Sequence, residues 1–206
     1  MDKRAHFTMI RGFYLADWFT LANSFCGMAA VLAVMAGLAG DIRQGLLHAS
    51  MLIPLALIFD VLDGRIARWR HQQSSLGREL DSLADVISFG VAPAAMAYGA
   101  GMRGGWDCAV LLYFVACGVS RLARYNVSAE SLSEGSNKVK YFEGTPIPSS
   151  VLLVGVIALA AWQERIGSAL WFGSVELGPW TLHPLVLMFA ISGSLMISKT
   201  IRIPKI

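Results

Sequence analysis

Six apolar stretches, separated by short polar breaks, set the pattern of this chain. They cover about 17–39, 47–69, 82–101, 106–124, 147–164 and 181–198. Each approaches the roughly 20 residues that a helix needs to cross the hydrocarbon of a bilayer. Lipid offers no partner to backbone N–H and C=O groups, so each stretch is predicted to satisfy its own as a helix. The expected fold is therefore all-α, an integral membrane protein with six transmembrane helices in a single domain over residues 1–206. Ahead of them, MDKRAHFTMIRGFYLA mixes Lys3, Arg4 and Arg11 with Phe7, Ile10, Phe13 and Tyr14. That mixture suits a short amphipathic helix lying at the membrane interface, and equally an ordinary basic lead-in. Among the breaks, GDIRQG (40–45) is predicted to turn outside and WRHQQSSL (69–76) inside, with 127–146 as the longest polar segment.

Composition agrees with the pattern. The chain is 55% hydrophobic and 15% charged, against about 25% charged in a soluble domain. The expected partner is thus a lipid bilayer and not nucleic acid. The net charge of +3 says little, but its distribution says more. With the N-terminus inside, only Arg43, Arg103 and Arg165 of the seventeen basic residues fall outside. The positive-inside rule then places both termini in the cytosol, in a protein of the cell membrane. Cys26, Cys108 and Cys117 lie apart within predicted spans, as small packing residues without a disulfide framework. No cleavable signal peptide and no second, soluble domain are expected.

Against this apolar background, DVLDGRIARWRHQQSSLGRELDSLAD (60–85) stands out. Asp60, Asp63, Gly64 and Ala67 fall on one face of a helix, and Gly77, Asp81 and Asp85 on one face of the next. An acid inside a membrane span is costly and points to function. The polar turn between the two segments lets the acidic faces oppose each other. Four carboxylates in a small volume need cations, and oxygen ligands favour a hard divalent ion, Mg²⁺ or Mn²⁺. Four acids suit two such ions. Asp85 is the candidate general base.

The spacing D-x2-D-G-x2-A-R-x8-G-x3-D-x3-D, filled by Asp60, Asp63, Gly64, Ala67, Arg68, Gly77, Asp81 and Asp85, resembles the signature of the CDP-alcohol phosphotransferases at every position. Further runs resemble the phosphatidylserine synthase branch of that family. They are T-x-x-N at Thr20 and Asn23, the S-F-G run at 88–90, R-L-A-R-Y-N at 121–126 and F-x-G-x-P-x-P at 142–148. The resemblance implies transfer of a phosphatidyl group from CDP-diacylglycerol to L-serine, helped by two divalent cations, in a homodimer with its active site facing the cytosol. It implies that Asp60, Asp63, Asp81 and Asp85 hold the metals. Thr20, Asn23, Asp63, Gly64, Ala67, Arg68 and Gly77 would meet the CDP donor, and Arg121, Arg124 and Asn126 the serine.

Other readings remain open from the residues themselves. Thr20 and Asn23 also suit hydrogen bonding between helices, the glycines suit close helix packing, and Arg121 and Arg124 suit topology anchors. The same chemistry with an archaeal lipid donor, or with glycerol phosphate or inositol phosphate as acceptor, is the nearest alternative. A divalent-cation transporter is the alternative from another class. It calls for polar residues through both membrane halves or an internal repeat, whereas the outer halves are nearly uncharged.

Overall fold

The computed structural model describes residues 13–70, 75–133, 141–198 and 202–204, with side chains over 13–70, 76–127 and 144–198. Residues 1–12 of the expected N-terminal amphipathic helix lie outside the described residues, and its last two, Leu15 and Ala16, belong to the first long helix. What is described is mostly helical, and four helices are long and apolar enough to cross a membrane.

The first two, α1 (Leu15–Ala39) and α2 (Ile42–Trp69), form a tight antiparallel pair. Their connection is shorter than the outside loop expected over 40–45. Asp41 caps α2 by accepting from the Gln44 N–H at 3.2 Å, so the helix has already begun at Ile42. Glycine explains how the helices can start so close together. A Cβ on Gly45 would sit 2.9 Å from the Gly37 Cα, so the two backbones touch. Below this crossing, Ala30, Ala49, Ile53 and Ala56 are fully buried. Small residues of this kind let helices approach where lipid supplies no hydrophobic drive.

The third span is one continuous helical rod with a changed pitch in the middle. It runs through α3 (Ser75–Asp85), a π-helical segment (Val86–Val91) and α4 (Ala92–Ala100). The Ala92 N–H reaches back five residues to the Ile87 carbonyl. Pro93 accounts for the widening: it has no N–H, and its ring crowds the carbonyl four residues earlier, that of Phe89. The sequence-predicted span, 82–101, missed both the earlier start and the pitch change. On α4, Gly99 lets the rod settle onto Val34 of α1 and Leu46 of α2.

The fourth long helix, α5 (Gly105–Ser133), continues well past the expected end at 124. A 3₁₀ turn (Ile147–Ser150) leads into α6 (Val151–Trp162), and a second (Pro184–Val186) into α7 (Leu187–Ile197). Ile147 is buried as a plug between α4's rod and α5. Its Cδ1 lies 2.7 Å from where a Gly118 Cβ would be and 3.9 Å from that of Gly90.

The structure is not purely helical. Two short antiparallel ribbons pair β1 (Tyr141–Glu143) with β4 (Arg202–Pro204), and β2 (Val175–Leu177) with β3 (Trp180–Leu182). The second ribbon turns through Gly178, whose φ of +67° favours glycine. It takes up the residues at 181–182 that were expected to open the last span. Asp107, fully buried near the start of α5, anchors the far end of this ribbon. It accepts from the backbone N–H of Gly104 at 2.8 Å and of His183 at 2.7 Å, and lies 2.6 Å from His183 Nδ1. His183 is thus tied to α5 through both its backbone and its ring.

Candidate active site

The acids meet where α2, α3 and α1 converge. Asp60 and Asp63 stand one turn apart on α2, and Asp81 and Asp85 one turn apart on α3. One carboxylate oxygen from each of Asp60, Asp63 and Asp81 lies within 4.8 Å of the others. Asp60 also faces Asp85 within hydrogen-bonding reach, which brings the fourth acid to the same cluster. Asp63 and Asp85 are buried, and Asp60 and Asp81 half-buried. One oxygen of Asp81, Oδ1, is buried without a hydrogen-bond partner.

That donor set fits a divalent cation. The ligands are all carboxylate oxygens, they crowd a space too small for unscreened like charges, and one is orphaned inside it. Among the described residues, no arginine or lysine forms an ion pair with the cluster: the only ion pairs are Arg43–Glu164 and His183–Asp107, both elsewhere.

Helix α1 closes the site with polar groups at every third position. Thr20 Oγ1 donates to Asp63 Oδ2 at 2.7 Å, and Asn23 Nδ2 to Asp85 Oδ1 at 3.2 Å. The Ser88 hydroxyl, in the π segment, donates to the Asn23 carbonyl at 2.9 Å. Gly27 continues the stripe; a Cβ there would lie 2.7 Å from the Ser88 Cα, so only glycine lets α1 rest on that segment. Asp17 heads the stripe, buried and bonded to the Tyr14 N–H at 2.7 Å.

The remaining sequence candidates divide. Gly64 faces open space: an added Cβ would meet only the Arg68 guanidinium, at 3.7 and 3.9 Å, and no neighbouring helix. Helix packing therefore does not explain this glycine. Ala67 is half-buried beside it and Arg68 exposed, while Gly77 lies half-buried on α3. Arg121 is half-buried near Asp85 and Tyr125, with its Nε buried and unpaired. Arg124, on the same helix, is exposed. Asn126 is occupied by α3, donating to Ser82 Oγ at 3.0 Å and to Glu79 Oε2 at 3.2 Å. It clamps α5 to α3 and is not turned into the acid cluster. Sequence reasoning gave Ser88 no role, although its place three residues after Asp85 was the available signal.

The family of CDP-alcohol phosphatidyltransferases matches residues 13–192, a stretch that contains the acid cluster and every helix around it. The chain belongs to that family. Its relatives include a Saccharomyces cerevisiae protein, 41% identical over 97% of this chain and 74% of its own length. A Mycobacterium leprae protein is 39% identical over 78% of this chain and 54% of its own length. One from Methanocaldococcus jannaschii is 36% identical over 68% and 58%. All three are named CDP-diacylglycerol–serine O-phosphatidyltransferase. The chain thus spans about three quarters of the yeast relative, and little more than half of the other two.

Proposed function

We propose that this member of the family transfers the phosphatidyl group of CDP-diacylglycerol to L-serine, releasing CMP and forming phosphatidylserine. The observation that carries the reading is the convergence of the carboxylates of Asp60, Asp63 and Asp81 within 4.8 Å, with a buried, unpaired oxygen on Asp81. Asp60, Asp63, Asp81 and Asp85 would hold two divalent cations, Mg²⁺ or Mn²⁺, which would supply neutralisation of the pyrophosphate and stabilisation of the leaving CMP.

The chain's own groups do the rest. The gap left by Gly64, with Ala67 one turn on, admits the nucleotide, Gly77 meets it from α3, and Arg68 offers a planar fork of donors to its phosphates. Asp85 takes the proton of the serine hydroxyl. One oxygen of Asp85 accepts a hydrogen bond from Asn23. As the serine oxygen bonds to the lipid-bearing phosphorus, the bond from that phosphorus to CMP breaks, and the electron pair leaves with CMP. Free serine is a zwitterion, and its carboxylate needs a cation that the donor does not use. Arg121 supplies it, through a buried Nε that has no partner.

The setting follows from the surface. Met51, Leu112 and Leu152 are 71, 73 and 76% exposed, a cost in water that disappears against lipid tails. The domain, residues 1–206, spans the cell membrane six times. The stretches Ile147–Trp162 and Pro184–Ile197, too short as helices to cross alone, serve as the last two crossings. Basic residues concentrated beside the acid-bearing end put the active site and both termini in the cytosol. The working form is a homodimer.

One assay tests the reading. Purified protein receives CDP-diacylglycerol, Mg²⁺ or Mn²⁺, and serine, glycerol phosphate or inositol phosphate in turn, and CMP release is measured. Serine alone should support turnover. Release with another acceptor and none with serine would reject the proposed substrate.

A further inference from the structure

We infer that α1 is the positioning helix of the acid cluster: Thr20 and Asn23 fix the carboxylates of Asp63 and Asp85, and neither touches the nucleotide. The inference rests on the proposal that those acids hold divalent cations. It departs from the role that sequence resemblance implies for the two residues.

Geometry carries it. A hydroxyl has one proton to give. Thr20 Oγ1 has two acceptors in range, the Ala16 carbonyl at 3.3 Å and Asp63 Oδ2 at 2.7 Å. The shorter bond, to an ionised acceptor, takes the proton. Asn23 offers either its oxygen or its NH₂ to Asp85, and an ionised carboxylate only accepts, so the NH₂ faces it. That orientation leaves Asn23 Oδ1 as the buried, unpaired atom. Thr20 is 3% exposed and Asn23 fully buried, and the donor that each turns toward the site is already engaged by a carboxylate. Each donor engages one carboxylate oxygen, one on each acid-bearing helix, and leaves the second oxygen of that carboxylate to the shared space.

The support continues outward. Ser88 fixes the backbone of Asn23, and Ser88 belongs to the π segment that begins directly after Asp85. Asp85 and Ser88, three residues apart, therefore grip the same residue of α1. Gly27 permits that approach. A partner that orients a ligating carboxylate is commonly worth 10- to 100-fold in metal affinity or activity.

The test uses the full-length chain in detergent micelles. Mn²⁺ binding is titrated by electron paramagnetic resonance without substrates, and CMP release is measured separately. Thr20→Val should weaken Mn²⁺ binding about tenfold or more, while Thr20→Ser, which keeps the hydroxyl, stays within about threefold of wild type. Asn23→Ala should lower kcat about tenfold or more, with the KM for CDP-diacylglycerol changed less than about threefold. Thr20→Ala and Asn23→Ser, measured alongside, keep the comparison available if a variant fails to fold. A raised donor KM with unchanged Mn²⁺ affinity and kcat would place both residues on the nucleotide and overturn the inference. So would Mn²⁺ binding and kinetics equal to wild type in every variant. A wild-type chain that binds no Mn²⁺ would instead sink the cation proposal, and this inference with it.

Discussion

Replacing Arg121 by lysine separates serine recognition from topology. Arg121 and Arg124 lie one turn apart on α5, yet only Arg121 is half-buried near Asp85, with an Nε that has no partner. Lysine keeps the positive charge but lacks the planar fork and the Nε donor. A hydrogen bond between charged groups contributes about 1.5–3 kcal/mol. Losing one worth about 2 kcal/mol changes an affinity roughly thirtyfold. With CDP-diacylglycerol saturating and serine varied, Arg121→Lys should raise the apparent KM for serine about thirtyfold. The donor KM should change less than about threefold if, as proposed, Arg68 and not Arg121 meets the phosphates. Arg124→Lys should leave both near wild type, since its side chain is exposed. A wild-type serine KM in Arg121→Lys would refute the argument, and more decisively so if Arg124→Lys carried the defect. A donor-side defect in Arg121→Lys would place that guanidinium on the pyrophosphate.

Other outcomes rest on the same geometry. Asp60→Asn, Asp63→Asn and Asp81→Asn should each weaken Mn²⁺ binding and lower CMP release by about a hundredfold or more; wild-type titrations in all three would dismiss the cluster as a cation site. Asp85→Asn should lose turnover with donor binding better retained than in the other three variants, which equilibrium binding of a CDP analogue checks; equal loss of donor binding would make Asp85 a metal ligand alone and not also the base. Gly64→Leu should fold with the wild-type thermal midpoint, because no helix abuts that position, yet fail to bind CDP; normal binding would show that the gap is not the nucleotide's. Asp107→Ala removes the acceptor of two backbone N–H groups and the partner of His183. It should cost about 3 kcal/mol of stability, read as a lower thermal midpoint, without altering Mn²⁺ affinity.

How much of this was legible in the sequence depends on how local the physics was. Asp60, Asp63, Asp81 and Asp85 were readable because a carboxylate in an apolar helix is costly wherever it stands, and their spacing fixes their faces before any tertiary contact is known. The four long helices were readable for the same reason, from hydropathy alone. Boundaries were less so. Helix α2 starts at Ile42 because Asp41 caps it and Gly37 meets Gly45, and the second of these is a contact between two helices. The ribbon at 175–182 and the tie from His183 to Asp107 depend on residues far apart in the chain. Nothing near Asp107 marks its partner, 76 residues away.

The site shows the same division more sharply. Periodicity put Thr20 and Asn23 on a polar stripe but could not say what the stripe faced, since a nucleotide and a carboxylate ask for the same donors. The fold shows what the two side chains meet, the carboxylates of Asp63 and Asp85. Arg121 and Arg124 differ by three residues, so a helix turns them about 60° apart. That rotation is enough to aim one toward Asp85 and the other outward. Asp85 and Ser88 meet the same residue of α1, as their i, i+3 spacing on one helix face allows. The acids announce the chemistry by themselves. Their orientation depends on donors from α1, Thr20 to Asp63 and Asn23 to Asp85, whose targets lie 43 and 62 residues away in the chain.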